Sequence, residues 1–400
     1  MFRVSVIVPT YNRAQFLGAS LDSLLTQTRP LDEVIVVNDG SGDATADVLR
    51  GYDDRIAVID QDNAGKAAAL NRALPRASGD LLWVFDDDDV AFPDALARHL
   101  DVFARQPAVD FTYSPARRLD TDPEGHETEG PMIAVPDMSR EGVFYHLQSG
   151  GRINQQGAVV RRTVQERVGG FDEALHRTQD YDFLLRLSRV STGYHLGAPT
   201  FHFRRHAGPR GGAGARHDVA ARERTFFAYE RRIWGRLLPT LSEAELLPAH
   251  QNTQEASPAR ARQACLRRLM IAGRFGLHDT VLTAAAALAE GRGPAGALNA
   301  WERQSAWLTF ARPQAALHAA GQPGFFEDLR DCLAHTGQAH GQIALFLALG
   351  LHAAARTLAA QGERDAAARL RAARSRLVLG GGWRFLPGYL ADKLRVRAAS

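Results

Sequence analysis

Over the first hundred residues, short apolar runs alternate with helical patterns, and three of the runs end in polar clusters. Val4–Thr10, Glu33–Asp39, Ile56–Asp60 and Asp80–Phe85 are rich in Val, Ile and Leu and bounded by turn residues, the pattern of strands buried on both faces. Between them, Leu17, Leu21, Leu24, Leu25 and Thr28 fall on one helical face. Asp43 or Thr45 starts a second helix running through Leu49. A third spans Gly65 to Ala77, and Pro93 suits the first turn of a fourth carrying Leu96, Leu100 and Phe103. This alternation implies a mostly parallel sheet covered by helices. Such sheets bind ligands beyond the carboxyl ends of their strands. Pro9-Thr10-Tyr11-Asn12, Asn38-Asp39-Gly40-Ser41 and Asp86 to Asp89 lie at those ends.

The last cluster is the most demanding. Four adjacent carboxylates after Leu-Leu-Trp-Val-Phe repel one another, and burying an unpaired one is costly. They form either a solvated acidic loop or a metal site. In an extended segment, Asp86 and Asp88 share one side, and Asp87 and Asp89 the other. Two carboxylates on one side suit Mg²⁺ or Mn²⁺ shared with ligand phosphates. Asp89 has a second reading, as a cap for the helix near Pro93.

Three further stretches carry chemistry, each with a plainer alternative. Asp39 in VVNDGSGDAT accepts hydrogen bonds from a nucleobase or ribose, or merely ends a strand in a turn. Gly65-Lys66 lets a phosphate approach backbone N–H groups beside a cation, or simply starts a surface helix. Asp180 and Asp182 open a helix after GGFDEALHRT. There they serve the helix dipole, or one of them is a general base.

From Val109 to about His206 the pattern is mixed, with strands in VDFTYS, GAVVRR and GYHLGAPTFHFRRH and a polar excursion from Arg117 to Pro136. Gly208–Arg216 reads as a hinge or lid by composition. The remainder is Ala-, Leu- and Arg-rich with helical patterns alone. The expected division is 1–215 as an α/β domain and 216–400 as an α-helical one. AGRFGLHDTVLTAAAALAEG and AARTLAAQGERDAAARLRAA share a small-residue pattern around a glycine, either a helix-pair repeat or plain Ala-rich helices. Ile343–Ala355 is too short to span a bilayer comfortably and reads as a buried helix.

A net charge of +3 on 400 residues excludes the strong bias of a dedicated nucleic-acid binder. The only lysines are Lys66 and Lys393; with abundant alanine, that arginine bias fits a GC-rich bacterial genome. Cys265 and Cys332 have no metal-type spacing, and no leader pattern precedes the first strand, so a cytoplasmic setting is expected. The tail from Gly380 mixes Trp383, Phe385 and Tyr389 with Arg384, Lys393, Arg395 and Arg397. It either packs as a helix or lies peripherally on an anionic membrane.

Taken in order, VSVIVPTYNR, VIVVNDGSGDAT, N-x-G-K-x-x-A-x-N, a strand ending in DDDD-x-x-x-P, and GGFDE followed by QDYDFLLRL resemble glycosyltransferase family 2. The resemblance covers about the first two hundred residues and implies a GT-A fold, Rossmann-like with a mostly parallel sheet. It implies that Pro9, Thr10 and Tyr11 line a nucleotide pocket, Asp39 contacts base or ribose, and Lys66, Asp86 and Asp87 face the donor. Asp86 and Asp88 match the D-x-D metal motif, with the register ambiguous by one across the four Asp. Asp180 matches the presumed catalytic base, although Gln179 stands where many members have Glu. His202 or His206 matches the region of a further metal or phosphate contact, and His202 is taken as the metal ligand. The family pattern brings a UDP-, dTDP- or GDP-linked sugar as donor, Mn²⁺ or Mg²⁺ as cofactor, and a glycan, lipid-linked or other hydroxyl acceptor. The Q-x-x-R-W motif of processive synthases is absent, which implies transfer of one or a few sugars. Two other readings stand beside it: a sugar-nucleotide nucleotidyltransferase, which lacks its expected Gly-rich first loop here, and a non-catalytic nucleotide-sugar-binding module with a partner-binding helical half.

Overall fold

The computed structural model describes residues 2–122, 124–206, 219–251, 257–290, 297–334 and 338–378. The expectations for 208–216, the start of the second domain near 217 and the tail from 380 lie outside them. The chain forms two compact units, Met1–Asp218 and Val219–Ser400.

In the first unit the strands are β1 (Val4–Thr10), β2 (Glu33–Asp39), β3 (Ala57–Gln61), β4 (Leu81–Val84), β5 (Val90–Ala91), β6 (Phe111–Tyr113), β7 (Ala116–Thr121), β8 (Glu127–Ile133), β9 (Ala158–Arg161), β10 (Gly193–His195) and β11 (Phe201–Arg205). The helices are α1 (Ala14–Leu25), α2 (Thr45–Arg50), α3 (Lys66–Ala73), α4 (Ala95–Arg105), α5 (Val143–Leu147), α6 (Arg162–Val168) and α7 (Gln179–Arg189). A seven-stranded sheet has the order β10-β6-β9-β4-β1-β2-β3. All its pairs are parallel except those of β9 with β4 and β6. A four-stranded sheet, β5-β11-β7-β8, stands beside it.

Every residue of β1 and β4 is buried, as expected of central strands covered on both faces. Leu17, Leu21 and Leu24 of α1 seal one face, with Trp83, Phe85 and Phe103 filling the core behind them. Pro9 is tolerated inside β1 for a reason visible in the register. Odd residues of β1 face β4, where Phe85 N–H donates to Ile7 O at 3.0 Å. The β1–β4 ladder ends at Ile7 and Val84, so the missing N–H of Pro9 forfeits no ladder bond.

The elements depart from the sequence reading at two helices and a hairpin, among other points. The third helix stops at Ala73, because Pro75 converts its last turn to a 3₁₀ turn, Leu74–Arg76. The fourth begins at Ala95, after Pro93. The polar excursion from Arg117 is the hairpin β7–β8, whose second strand is largely exposed. A strand with no apolar face carries no two-residue alternation to read.

The second unit is helical: α8 (Val219–Leu237), α9 (Pro258–Arg274), α10 (His278–Glu290), α11 (Ala300–Leu308), α12 (Pro313–Ala320), α13 (Phe325–Leu333), α14 (Gln338–Ala360) and α15 (Arg364–Val378). The two glycine-centred phrases occupy equivalent turns. Gly276 (φ 73) joins α9 to α10 and Gly362 (φ 86) joins α14 to α15. In each, the residue after the glycine closes a six-to-one bond, Leu277 N to Ala272 O at 2.8 Å and Glu363 N to Leu358 O at 2.9 Å. Helix α14 is long and apolar enough to cross a membrane by length and composition alone. Leu347, Leu351 and Ala354 on it are fully buried, the mark of a core helix.

His278, in the first turn of α10, stacks on His318 with ring centroids 4.7 Å apart. Burial, aided by His318 and Arg231 and opposed by Asp279, lowers its pKa to about 4. The unfolded chain therefore binds more protons between that value and the ordinary one near 6.5, so stability rises with pH across the interval. The wild type is expected to lose thermal stability as pH falls from about 6.5 toward 4 more steeply than His278→Gln. Parallel melting curves for the two would contradict this.

Candidate active site

The loops after β1, β2 and β3 are tied together by side-chain bonds to backbone. Asn12 Oδ1 accepts from Gly42 N (2.8 Å) and Ser41 Oγ accepts from Asn12 N (3.0 Å). Asn38 accepts from Ser41 N (3.1 Å) and donates to Asp60 (2.8 Å). Asp39 is buried and accepts from Gln61 Nε2 (2.7 Å), Ala64 N (2.8 Å) and Gly65 N (2.9 Å). A carboxylate offers about four acceptor positions, so Asp39 organises the loop ahead of Lys66 and keeps one position for a further donor.

The acidic run is a turn, with Asp89 N donating to Asp86 O at 3.3 Å. Its geometry corrects the extended-segment expectation. The turn swings Asp89 to the side of Asp86 and Asp88, and one oxygen from each of the three lies within 4.8 Å of the others. Asp87 stays outside this group, beside Thr10 and Arg13. Asp89 does not cap the following helix; its Oδ1 accepts from Arg204 N at 2.8 Å.

Each acid is braced. Asp86 accepts from Lys66 on one oxygen and from Gln156 Nε2 on the other at 2.5 Å. Gln156 is itself fixed through its carbonyl by Trp83 Nε1 at 2.7 Å. Arg13 lies 3.9 Å from both Asp87 and Asp88. Buried Arg204 donates from Nε to Asp88 O at 2.7 Å. Burial raises the Asp86 pKa, with Asp88 and Asp180 adding and Lys66 opposing. Burial and Asp88 push Asp87 to about 7, against the Thr10 hydroxyl and Arg13. Burial works against the Lys66 charge, but Asp86, Asp180 and Asp88 outweigh it and raise that pKa. Such a crowd of acids is what a bound cation relieves.

His206 stands beside the cluster, against Asp88. Its Nε2 lies 3.1 Å from Asp88 Oδ2, its ring rests on Phe16 at 4.5 Å, and its buried Nδ1 has no hydrogen-bond partner. The three carboxylates form an oxygen donor set that fits Mn²⁺ or Mg²⁺, and His206 is placed to orient Asp88 or to add a ligand to Mn²⁺. His202, the histidine chosen from sequence, does not join it. The residue sits four positions back along the strand direction, about 13 Å at the rise of a β-strand. There its Nε2 lies 3.1 Å from Glu129 and its ring against Phe92. His202→Gln is expected to leave any Mn²⁺-dependent thermal stabilisation intact, whereas His206→Gln weakens it; the reverse result would restore the sequence choice.

The segment that carries Asp180 is anchored to α3. Asn71, the last residue of the N-x-G-K-x-x-A-x-N stretch, grips the backbone of Phe171, accepting from its N (2.8 Å) and donating to its O (2.9 Å). Arg186 ties α7 to the same segment through Val168 O and Gly170 O, each at 2.9 Å. The connecting Thr178 is held at φ 62, an outlier for a β-branched residue. Asp180 follows in the first turn of α7, and its charge acts on both Lys66 and Asp86. Pro9 and Thr10 close the buried end of β1, and Tyr11 stands half-buried at the rim. Sequence reasoning gave no role to Arg13, Gln156 or Arg204. Arg13 closes the VSVIVPTYNR stretch and Arg204 stands between His202 and His206, but nothing around Gln156 set it apart.

The sheet and the strand-end acids define a GT-A fold. Staphylococcus aureus TarS 1–349, in a crystal with UDP-GlcNAc, shares it: TM-score 0.50 at 16% identity, over 93% of this chain and 90% of that one. The description "Glycosyl transferase family 2" matches residues 5–166. A Haemophilus influenzae protein described only as a glycosyltransferase is 32% identical over 209 residues, covering 50% of this chain and 69% of its own length. The chain belongs to glycosyltransferase family 2. The Pasteurella multocida chondroitin synthase is 30% identical over 200 residues, but the match covers only 20% of that enzyme.

Proposed function

We propose that this chain transfers a sugar from a nucleoside-diphosphate sugar to an acceptor hydroxyl, inverting the anomeric centre. The observation that supports this reading is the grouping of Asp86, Asp88 and Asp89 at the carboxyl edge of the sheet, with Lys66 on Asp86, His206 on Asp88 and the Asp180 charge acting on Lys66 and Asp86. Asp88 and His206, with Asp86 and Asp89 beside them, would hold Mn²⁺ or Mg²⁺, which when bound supplies positive charge to the leaving diphosphate.

The rest falls to the chain's own groups. The loops around Tyr11 and Asp39 seat the nucleoside. Lys66 adds a fixed positive charge near the phosphates. Asp180 takes the proton of the acceptor hydroxyl as its oxygen bonds to the anomeric carbon. The carbon–oxygen bond to phosphate breaks on the opposite face, and the nucleoside diphosphate leaves with the bonding pair. The donor is a UDP-, dTDP- or GDP-sugar, and the acceptor is a bacterial surface glycan or a lipid-linked precursor. The setting is cytoplasmic, at most peripheral to the membrane.

Product analysis tests it. With the correct donor and a sugar acceptor, free nucleoside diphosphate and a product of inverted configuration are expected. Release of pyrophosphate would mean a nucleotidyltransferase. Tight donor binding with no turnover across a broad acceptor panel would mean a binding module.

A further inference from the structure

The hairpin α14–α15 of the second unit carries a cationic cluster that the transfer reading does not use. His352 and Arg356 stand one turn apart on α14, and Arg371 and Arg374 one turn apart on α15. Arg374 Nη1 lies 3.2 Å from His352 Nδ1, which joins the two helices' charges into one patch. Among the described residues, no carboxylate pairs with Arg356, Arg371 or Arg374; the nearest arginine on α15 with such a partner is Arg376, bound to Glu327. Burial and then Arg374, Arg356 and Arg371 together lower the His352 pKa, and no acid offsets them. The buried Nε of Arg374 has no hydrogen-bond partner.

Like charges one helical turn apart are unfavourable, so three guanidiniums without acids are a cost to the free protein. From His352 to Arg376 the sequence holds six arginines against Glu363 and Asp365 alone. Arg356 and Arg371 are exposed on the outside of the hairpin rather than enclosed. Guanidinium forks match phosphate oxygens bidentately, and an exposed array suits an extended anionic surface better than one small ion.

We propose that the Arg356–Arg371–Arg374 face is a docking surface for the phosphate headgroups of an anionic lipid bilayer. It stands independently of the catalytic reading, since binding requires no turnover. The test is co-sedimentation of the full chain with phosphatidylcholine vesicles, with and without phosphatidylglycerol. Binding is expected only with the anionic lipid and is lost in high salt. Arg356→Gln/Arg371→Gln/Arg374→Gln is expected to weaken it roughly a hundredfold, at about a factor of five per arginine near the surface. The corresponding triple lysine variant retains most of the binding and controls for misfolding. Equal binding by the wild type and a folded triple glutamine variant would overturn the proposal, with any residual affinity then belonging to other segments. Equal binding to neutral vesicles would overturn it too. Patch-dependent binding to heparin or duplex DNA with none to vesicles would assign the surface to a different polyanion.

Discussion

Asp180→Asn is expected to cut turnover about 10²- to 10⁴-fold, the usual worth of a general base, while donor affinity changes little. The substitution keeps the local structure. Asp180 Oδ1 accepts from Tyr181 N at 2.8 Å in the first turn of α7, and an asparagine oxygen accepts the same bond. Asn71 and Arg186 still pin α7 in place. Lys66 loses one carboxylate neighbour but keeps Asp86. The loss should therefore appear in kcat rather than in donor binding. Near-normal turnover would remove Asp180 from the base role.

The second large effect is expected at Asp88. Asp88→Asn should abolish metal-dependent donor binding and lower turnover by at least about 10²-fold, as removal of a charge-stabilising group does. Its effect on the free protein should have the opposite sign. Asp88 raises the pKa of both Asp86 and Asp87, so its charge is a burden on its neighbours in the absence of a cation. Losing that repulsion is expected to offset the weakened contacts with His206 and Arg13, leaving the melting temperature unchanged or higher. Active sites commonly hold such stability in reserve. A variant that melts much lower and still binds donor with Mn²⁺ would mark Asp88 as a structural residue.

The first unit was legible where physics writes itself into one dimension. β1, β2 and β4 are apolar runs because both faces of the sheet are covered, and a ligand edge follows from parallel strands. Asp39, Lys66, Asp86, Asp88 and Asp180 lie at strand or helix ends, so their place at element ends could be read from the sequence. The rest depended on three-dimensional turns. The turn closed by Asp89 N to Asp86 O leaves three of four identical aspartates grouped and Asp87 outside the group. Two histidines in FHFRRH differ only in how far along the strand they stand. Gln156 reaches Asp86 from seventy positions away in sequence, across the antiparallel β4–β9 pair. The β7–β8 hairpin was missed because its outer strand buries almost nothing. In the second unit periodicity revealed helices, but the charge cluster on α14–α15 needed the hairpin to bring Arg374 against His352.

The most direct measurement is thermal unfolding with UDP, GDP, dTDP or CMP, each with and without Mn²⁺. At a hundred times its Kd, a nucleotide that binds only the native state adds about 2.7 kcal/mol, a shift of several degrees. Stabilisation by one nucleoside diphosphate, dependent on Mn²⁺ and lost in Asp88→Asn, is the expected result. A cooperative transition that none of the four nucleotides moves, with or without metal, would contradict the account and return Asp86 to Asp89 to the role of a braced acidic turn.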